Sequence, residues 1–420
     1  MKIGIIGAGA LGLTCAYELS KKGHQVEVLE KENSVGGLAV DFEYEGWHLE
    51  KFYHHLFRTD TTITSLIHEI GLGDKLIWKK PNTSVYYRGV VYPIDSPMAV
   101  LRFTPISLID RLRLGLVMVY LKIQPNFKLF EGITAVYWLK KYLGKASYSV
   151  LWEPLLKAKF GDFYDKIAMS WFWARVHYRT AQLGYLKEGF YQFYEKLKEA
   201  FLSKGGKITF GVNIDRIGSE NTRPYVIVGG RKSYFDKLVV CTPTPVFFKL
   251  CPDIPLEYRE KYHLPQYFGA QVVVLQTKRK VMDVYWCNIN DAAIPFMAYV
   301  EHTNFMDPKD YGDSHLIYLG NYFSPEDARY NKEPDKVIKE YIEGLKKLKG
   351  DFDDSWILKS WVFRTPFAQP IVDIDYYKQI PPFETSLQNV YLANMAQVYP
   401  QDRGQNYSVA LGKKIAEAIS

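Results

Sequence analysis

The first thirty residues constrain this chain more than any other stretch. Ile3-Gly4-Ile5-Ile6 reads as a short, buried parallel strand that runs into Gly7-Ala8-Gly9-Ala10-Leu11-Gly12 and then into a helix-like stretch from Leu13 to Lys22. A second strand, Gln25-Val26-Glu27-Val28-Leu29, ends in Glu30. Strand, glycine loop, helix, strand and terminal acid in that order predict a βαβ unit that holds the ADP half of a dinucleotide. Gly7 permits the tight turn, Gly9 lets backbone approach a pyrophosphate, and Gly12 lets helix and strand pack closely. Ala10 and Leu11 complete the loop, and the free N–H groups of the helix start favour the negative charge of the pyrophosphate. The carboxylate of Glu30 accepts hydrogen bonds from ribose hydroxyls and disfavours a 2′-phosphate.

Composition sets the scale around this unit. At 420 residues the chain exceeds one ordinary core, so two intimately connected domains are expected. Hydrophobic residues make up 47%, far above a disordered composition, so a large buried core is available. The formal charge of +7 reads as spread along the chain, which does not point to nucleic acid. An anionic ligand, an anionic membrane surface or plain solvated surface all suit it. The four cysteines, Cys15, Cys241, Cys251 and Cys287, show neither zinc-type spacing nor a disulfide framework. A cleaved leader would destroy the glycine unit, so a cytoplasmic protein is expected. Peripheral contact with a membrane stays open, because Met98 to Ile123 mixes apolar residues with Arg102, Arg111, Arg113 and Lys122.

Val35-Gly36-Gly37-Leu38 follows Glu30-Lys31 closely, and the combination resembles the extended fingerprint of the FAD-binding amine oxidase superfamily, which includes protoporphyrinogen oxidase, phytoene desaturase and monoamine oxidase. Two further segments resemble the same superfamily. Gly205 to Ile214, with Val212 near its end, looks like the strand whose backbone contacts adenine; it leads to Lys237-Leu238-Val239-Val240-Cys241-Thr242-Pro243. Asn389 to Met395 reads as a strand, and Ser408 to Ile419 as a helix whose N-terminus the resemblance turns toward the flavin ring, with Gly404, Gln405 and Asn406 as flavin contacts.

The resemblance implies an α/β architecture: a Rossmann-like FAD-binding domain assembled from residues 1–80, 205–250 and 385–420. Residues 81–204, mainly helical, and 251–384, mainly strands, would insert a mixed substrate domain. It also implies a non-covalent FAD, because no Cys lies in the C-terminal region where some amine oxidases attach the flavin. The lack of a second GxGxxG unit leaves the electron acceptor open.

A local resemblance to UDP-galactopyranose mutase is carried by His55-Leu56-Phe57-Arg58-Thr59-Asp60 and by Lys157-Ala158-Lys159-Phe160-Gly161, with Arg175 and Arg179 downstream. His55 is then a hydrogen-bond donor or proton shuttle beside the flavin. Lys157, Lys159, Arg175 and Arg179 are candidate anion or substrate contacts, and Lys159 is also a catalytic candidate. The tandem His54-His55 lacks the Cys, His or Asp partners of a metal site. Arg403 is expected to contact flavin or substrate from the polar loop Tyr399 to Tyr407. Glu301, His302 and Asn304, at the end of a strand in the second insert, are a further substrate-contact set beside satisfied core polar groups as the other reading.

Two functions from different classes follow. One is an FAD-dependent oxidoreductase that removes hydride from a C–N or C–C unit of a small organic molecule. The other is a flavin-dependent, non-redox sugar-nucleotide mutase.

Overall fold

The computed structural model describes residues 1–262 and 266–420. Strands Lys2–Ile6 and Gln25–Leu29 pair in parallel, joined by helix Ala10–Lys21, as the hydrophobic run and the glycine loop require. Distant segments widen this pair into a five-stranded parallel sheet. Lys207–Thr209 adds beside Gln25–Leu29, while Lys237–Val240 adds on the other side of Lys2–Ile6 and is flanked by Val390–Leu392. Ile3, Ile5, Val28, Val239 and Leu392 are fully buried, the composition of a parallel sheet covered on both faces. The first helix and the C-terminal helix Gln405–Ala418 pack against each other over it. The chain therefore builds one nucleotide-binding body from its beginning, middle and end, and the fold is mixed α/β.

A second, seven-stranded sheet stands against this body. Its order is Ile357–Pro370, Tyr267–Thr277, His315–Phe323, Ala298–Glu301, Trp286–Ile289, Thr83–Tyr87 and Val90–Pro93. Helix Pro334–Leu348 covers one face with Val337, Tyr341, Leu345 and Leu348, a helical repeat that leaves its lysines and glutamates outside. The opposite face is turned toward the parallel sheet.

The borders of the inserts differ from the sequence expectation in two places. Thr83–Tyr87 pairs in parallel with Trp286–Ile289, so the start of the first insert belongs to the sheet of the second. Leu183–Leu186 pairs with Leu56–Phe57 and Leu76–Lys79, and helix Tyr191–Ser203 packs on the first helix, so residues 183–203 belong to the nucleotide-binding body. Pairing partners far apart in sequence decide both, and periodicity within one segment cannot report them.

Glu50 lies at the seam between the two bodies. Its carboxylate accepts from Tyr185 Oη at 2.5 Å and from the Phe190 backbone N–H at 2.6 Å. Burial without a cation beside it pushes this carboxyl up to about 7. Between the ordinary value and 7 the native state holds a proton that the unfolded state has lost, so stability falls as pH rises across that window. Glu50→Gln should therefore flatten the fall in unfolding midpoint from pH 5 to pH 8, an effect of up to about 3 kcal/mol. Denaturant titrations at several pH values check it, and an unchanged slope would remove Glu50 from the account.

Candidate functional site

A cavity of about 660 Å³ lies between the carboxyl ends of the parallel strands and the inner face of the large sheet. Each parallel strand on its rim delivers the residues that follow it: Gly7 after the first, Glu30 after the second, Thr242 and Pro243 after Lys237–Val240, and Asn394 and Met395 after Val390–Leu392. This is the crevice in which open parallel sheets bind their ligands.

The nucleotide end is built by two glycine loops that touch. Gly9 and Gly36 form a bridge, Gly36 N–H donates to Ala8 O at 3.0 Å, and a Cβ on Gly37 would stand 3.0 Å from Gly9 Cα. Gly12 packs still closer, since a Cβ there would meet Gly7 O at 2.0 Å. Gly9 has ordinary extended dihedrals and its Cβ position is open, so neither strain nor clash within the chain demands glycine there. Glu30 accepts from Ala8 N–H at 2.5 Å and Glu32 N–H at 2.9 Å, which fixes its carboxylate on the wall.

Two helix N-termini open on the cavity. Gly9 before the first helix and Gly404 before the last have no side-chain cap, and neither helix carries an acid in its first turn. Gly404, Gln405 and Asn406 line the wall beside Tyr407 and Ser408. Gln405 accepts from Tyr194 Oη at 2.6 Å, and Asn406 Oδ1 accepts from Ile63 N–H at 3.0 Å, which ties the helix start to helix Thr61–Glu69. Four buried polar atoms on this wall have no hydrogen-bond partner among the described residues: His54 Nδ1, His55 Nδ1, Thr242 Oγ1 and Gln405 Nε2. Buried polar groups are rarely left unpaired, so these atoms mark a wall shaped for a polar ligand. Glycine cradle, fixed acid, uncapped helix starts and unpaired donors all fit a dinucleotide.

The far end is cationic. Lys159, Arg175, Arg179 and Arg403 converge there with one carboxylate among them, Asp402. Asp402 ion-pairs with Arg175 and with Lys159, the latter at 3.5 Å, and accepts from Trp171 Nε1 at 3.2 Å and Arg403 N–H at 3.0 Å. The surrounding cations, Lys159 first, outweigh its burial and hold the carboxyl far below the usual carboxylate range. Burial pushes the Lys159 ammonium well down, with Asp402 pulling the other way. Arg403 donates to Gln369 Oε1 and Tyr322 Oη. The Arg179 guanidinium has no acceptor among the described residues and is open to the cavity. His55 faces the same space and is driven down to about 3 by burial and then by Arg179, so it stays neutral at every ordinary pH.

Between the two ends the wall is apolar and aromatic. It is supplied by Tyr53 and by Val272, Trp286, Ala298, Val300 and Tyr318 of the large sheet. Which residues of these strands face the cavity is not legible in the sequence, because apolar residues in strands look alike whether they face a core or a ligand.

Of the residues named from sequence, Gly7, Gly9, Ala10, Leu11, Gly12, Glu30, Gly36, Gly37, Leu38, Thr242, Gly404, Gln405, Asn406, His55, Lys159, Arg403, Arg175 and Arg179 all lie on the cavity wall. Lys31 is exposed in a turn outside it, and Val212 sits behind Glu30, donating its N–H to Glu30 O at 2.9 Å. Lys157 also lies outside. Two positions from Lys159 on helix Glu153–Phe160, it points to the other side and ion-pairs with Glu153 at 3.0 Å.

Glu301, His302 and Asn304 do not reach the cavity. Side chains alternate along strand Ala298–Glu301, so Ala298 and Val300 face the cavity while Tyr299 and Glu301 face away. Glu301 accepts from Val281 and Met282 N–H at 3.0 and 2.8 Å, and Tyr299 Oη donates to it at 2.5 Å. His302 Nε2 meets Tyr311 Oη at 2.7 Å, and Asn304 Nδ2 donates to Met282 O and Val284 O. All three are loop staples, the other reading the sequence allowed. Asp402, which organises the cationic end, was not among the sequence candidates, although the polar density of residues 399–407 was the available signal.

The model of the family described as flavin containing amine oxidoreductase matches residues 12–401. A zeta-carotene desaturase of Zea mays is 29% identical over 125 residues, 27% of this chain and 22% of that protein, so the chain matches under a quarter of the relative's length. Among solved structures, reduced UDP-galactopyranose mutase superposes with a TM-score of 0.79 at 15% identity, over 100% of this chain and 95% of that one. Cyclohexylamine oxidase from Brevibacterium oxydans does so with 0.77 at 14% identity, over 100% and 98%. With the dinucleotide crevice, the uncapped helix starts and a family match over nearly the whole length, the chain belongs to the family of flavin-containing amine oxidoreductases.

Proposed function

We propose that this protein binds FAD without a covalent bond and oxidises a small organic substrate that carries an anionic group, at a C–N or C–C unit. The observation that carries the reading is the continuity of one cavity from the Gly7–Gly12 loop, past the start of the last helix, along an apolar wall to Arg179, whose guanidinium has no acceptor of its own. A bound flavin supplies hydride acceptance. The protein's part is placement and charge. The Gly9 loop and Glu30 would hold the ADP half, and the uncapped N-terminus at Gln405 would offset negative charge on the ring. Arg175, Arg179 and Arg403 would fix the substrate's anionic group, leaving the apolar stretch for its reacting part. His55, held neutral, would donate a hydrogen bond. Lys159, the ion-pair partner of Asp402, would keep positive charge at that end of the cavity. Non-covalent binding is supported by Cys241, the cysteine on the wall, whose thiol burial pushes far up and leaves little thiolate to react.

The same cations support a second reading, a non-redox sugar-nucleotide mutase, in which they would hold a diphosphate. Oxidised holoenzyme mixed anaerobically with carboxylate- or phosphate-bearing amines and polyenes should lose its yellow absorbance, and neutral analogues should be poorer. Arg179→Gln should raise the half-saturating concentration roughly a hundredfold with a smaller effect on the rate at saturation. Sugar-ring interconversion of a UDP-sugar by photoreduced enzyme, without net flavin turnover, would replace the first reading by the second. Bleaching equally fast with neutral substrates would remove the anionic group from it.

A further inference from the structure

The chain's excess positive charge is concentrated in one stretch. Residues 97–147 hold eight Lys and Arg against two carboxylates, Asp110 and Glu131, a net +6 in a chain whose total is +7. Among the described residues none of those eight cations is ion-paired. Arg111, Arg113 and Lys122 donate to backbone carbonyls, which leaves their charge uncompensated.

The same stretch holds most of the exposed apolar surface. Of the eighteen large hydrophobic side chains exposed among the described residues, twelve lie between Met98 and Tyr142. They centre on helix Leu108–Ile123, of which only Leu114 and Leu121 are buried. Leu108, Ile109, Leu112, Leu116, Val119 and Ile123 form a stripe along its outer side, with Ile109 at 78%, Leu116 at 74% and Ile123 at 70% exposure. No helix among the described residues is long and apolar enough to cross a membrane.

We propose that this face docks on an anionic lipid bilayer, with the apolar stripe entering the headgroup boundary and Arg102, Lys128, Lys140, Lys141 and Lys145 meeting the lipid phosphates around it. An apolar stripe alone would suit many partners, and the charge selects among them. A second copy of this chain would bring +6 against +6, whereas an anionic membrane complements both the stripe and its rim. The face also adjoins the cavity wall: Lys122 Nζ at the end of the helix donates to the carbonyls of His177 and Arg179 at 2.6 Å each, and Trp173 Nε1 to Gln124 O at 2.9 Å. Docking would therefore set the cationic end of the cavity close to the lipid surface.

The test is co-sedimentation of the flavin-loaded full chain with vesicles of phosphatidylcholine alone and of phosphatidylcholine containing about a third phosphatidylglycerol. Binding is expected to the second and weakly or not at all to the first, and to fall as salt is raised. Leu112→Glu/Leu116→Glu should weaken it at least about tenfold, and Lys140→Gln/Lys141→Gln about fivefold or more, with flavin content and circular dichroism unchanged because all four side chains lie outside the cavity. Failure to bind phosphatidylglycerol vesicles, or binding that both variants leave intact, would overturn the proposal. So would a dimer in sedimentation analysis that only the Leu112/Leu116 variant dissociates, since the face would then be an interface between copies.

Discussion

Gly9→Val should yield a protein that folds like the parent and holds little or no flavin, whereas Gly12→Ala should damage the fold itself. The two glycines stand three positions apart in one loop, but different physics requires them. At Gly12 an added Cβ would meet Gly7 O at 2.0 Å, a clash with backbone that only a shift of helix against strand relieves. Overpacking of that kind costs about 3 kcal/mol. At Gly9 the dihedrals are ordinary and the nearest atom to an added Cβ is Gly37 Cα at 3.7 Å, so the protein alone accepts a side chain. What a valine there obstructs is the close approach of a pyrophosphate to the helix start. The readouts are flavin released on boiling, per mole of chain, and the unfolding midpoint in the presence of excess FAD. FAD should raise the parent midpoint, by an amount equivalent to about 3 kcal/mol at a hundredfold excess over its dissociation constant, and leave that of Gly9→Val unchanged. Full flavin content in Gly9→Val would refute the pyrophosphate placement.

Removing the Asp402 carboxylate is the second large effect. Asp402→Ala would leave Lys159, Arg175 and Arg403 facing one another with no anion among them, and the Trp171 indole N–H without its acceptor. Breaking a buried ion cluster from one side costs about 3–5 kcal/mol, because the desolvated partners stay behind. The depressed carboxyl contributes stability at every pH above its ordinary unfolded value and loses it as pH falls below that value. The gap between Asp402→Ala and parent should therefore be constant from pH 5 to pH 8 and narrow in stronger acid. Lys159→Met in the Asp402→Ala background should restore part of the loss, since the deepest cation goes with its partner. Denaturant titrations of the parent, the single and the double variants measure this, and strictly additive effects would show that the two groups do not act as a unit.

The nucleotide half of the site was legible because its determinants are local. The order of strand, Gly7, Gly9, Gly12, helix and Glu30 specifies a loop and a helix start whatever packs around them, and the Gly36-Gly37 pair lies close enough in sequence to be read with it. The substrate half was legible only in fragments. Arg175, Arg179, Lys159 and Arg403 come from three separate parts of the chain, and composition cannot show that they meet around Asp402. Glu301 was expected at the ligand and points away from it, because a four-residue strand does not announce which side of its pleat faces a ligand. The even spread of charge read from the whole chain was also misleading, since the excess gathers in residues 97–147.

The sequence by itself determined the strand, glycine loop and helix of the first thirty residues, because a glycine loop between a buried strand and a helix leaves the backbone few other conformations. Only the tertiary structure decided what lies opposite that loop. The cationic end, the apolar wall and the exposed stripe beside them arise from pairings between residues hundreds of positions apart, such as Arg175 with Asp402 and Thr83–Tyr87 with Trp286–Ile289, and the free energy that selects those pairings belongs to the packed chain as a whole.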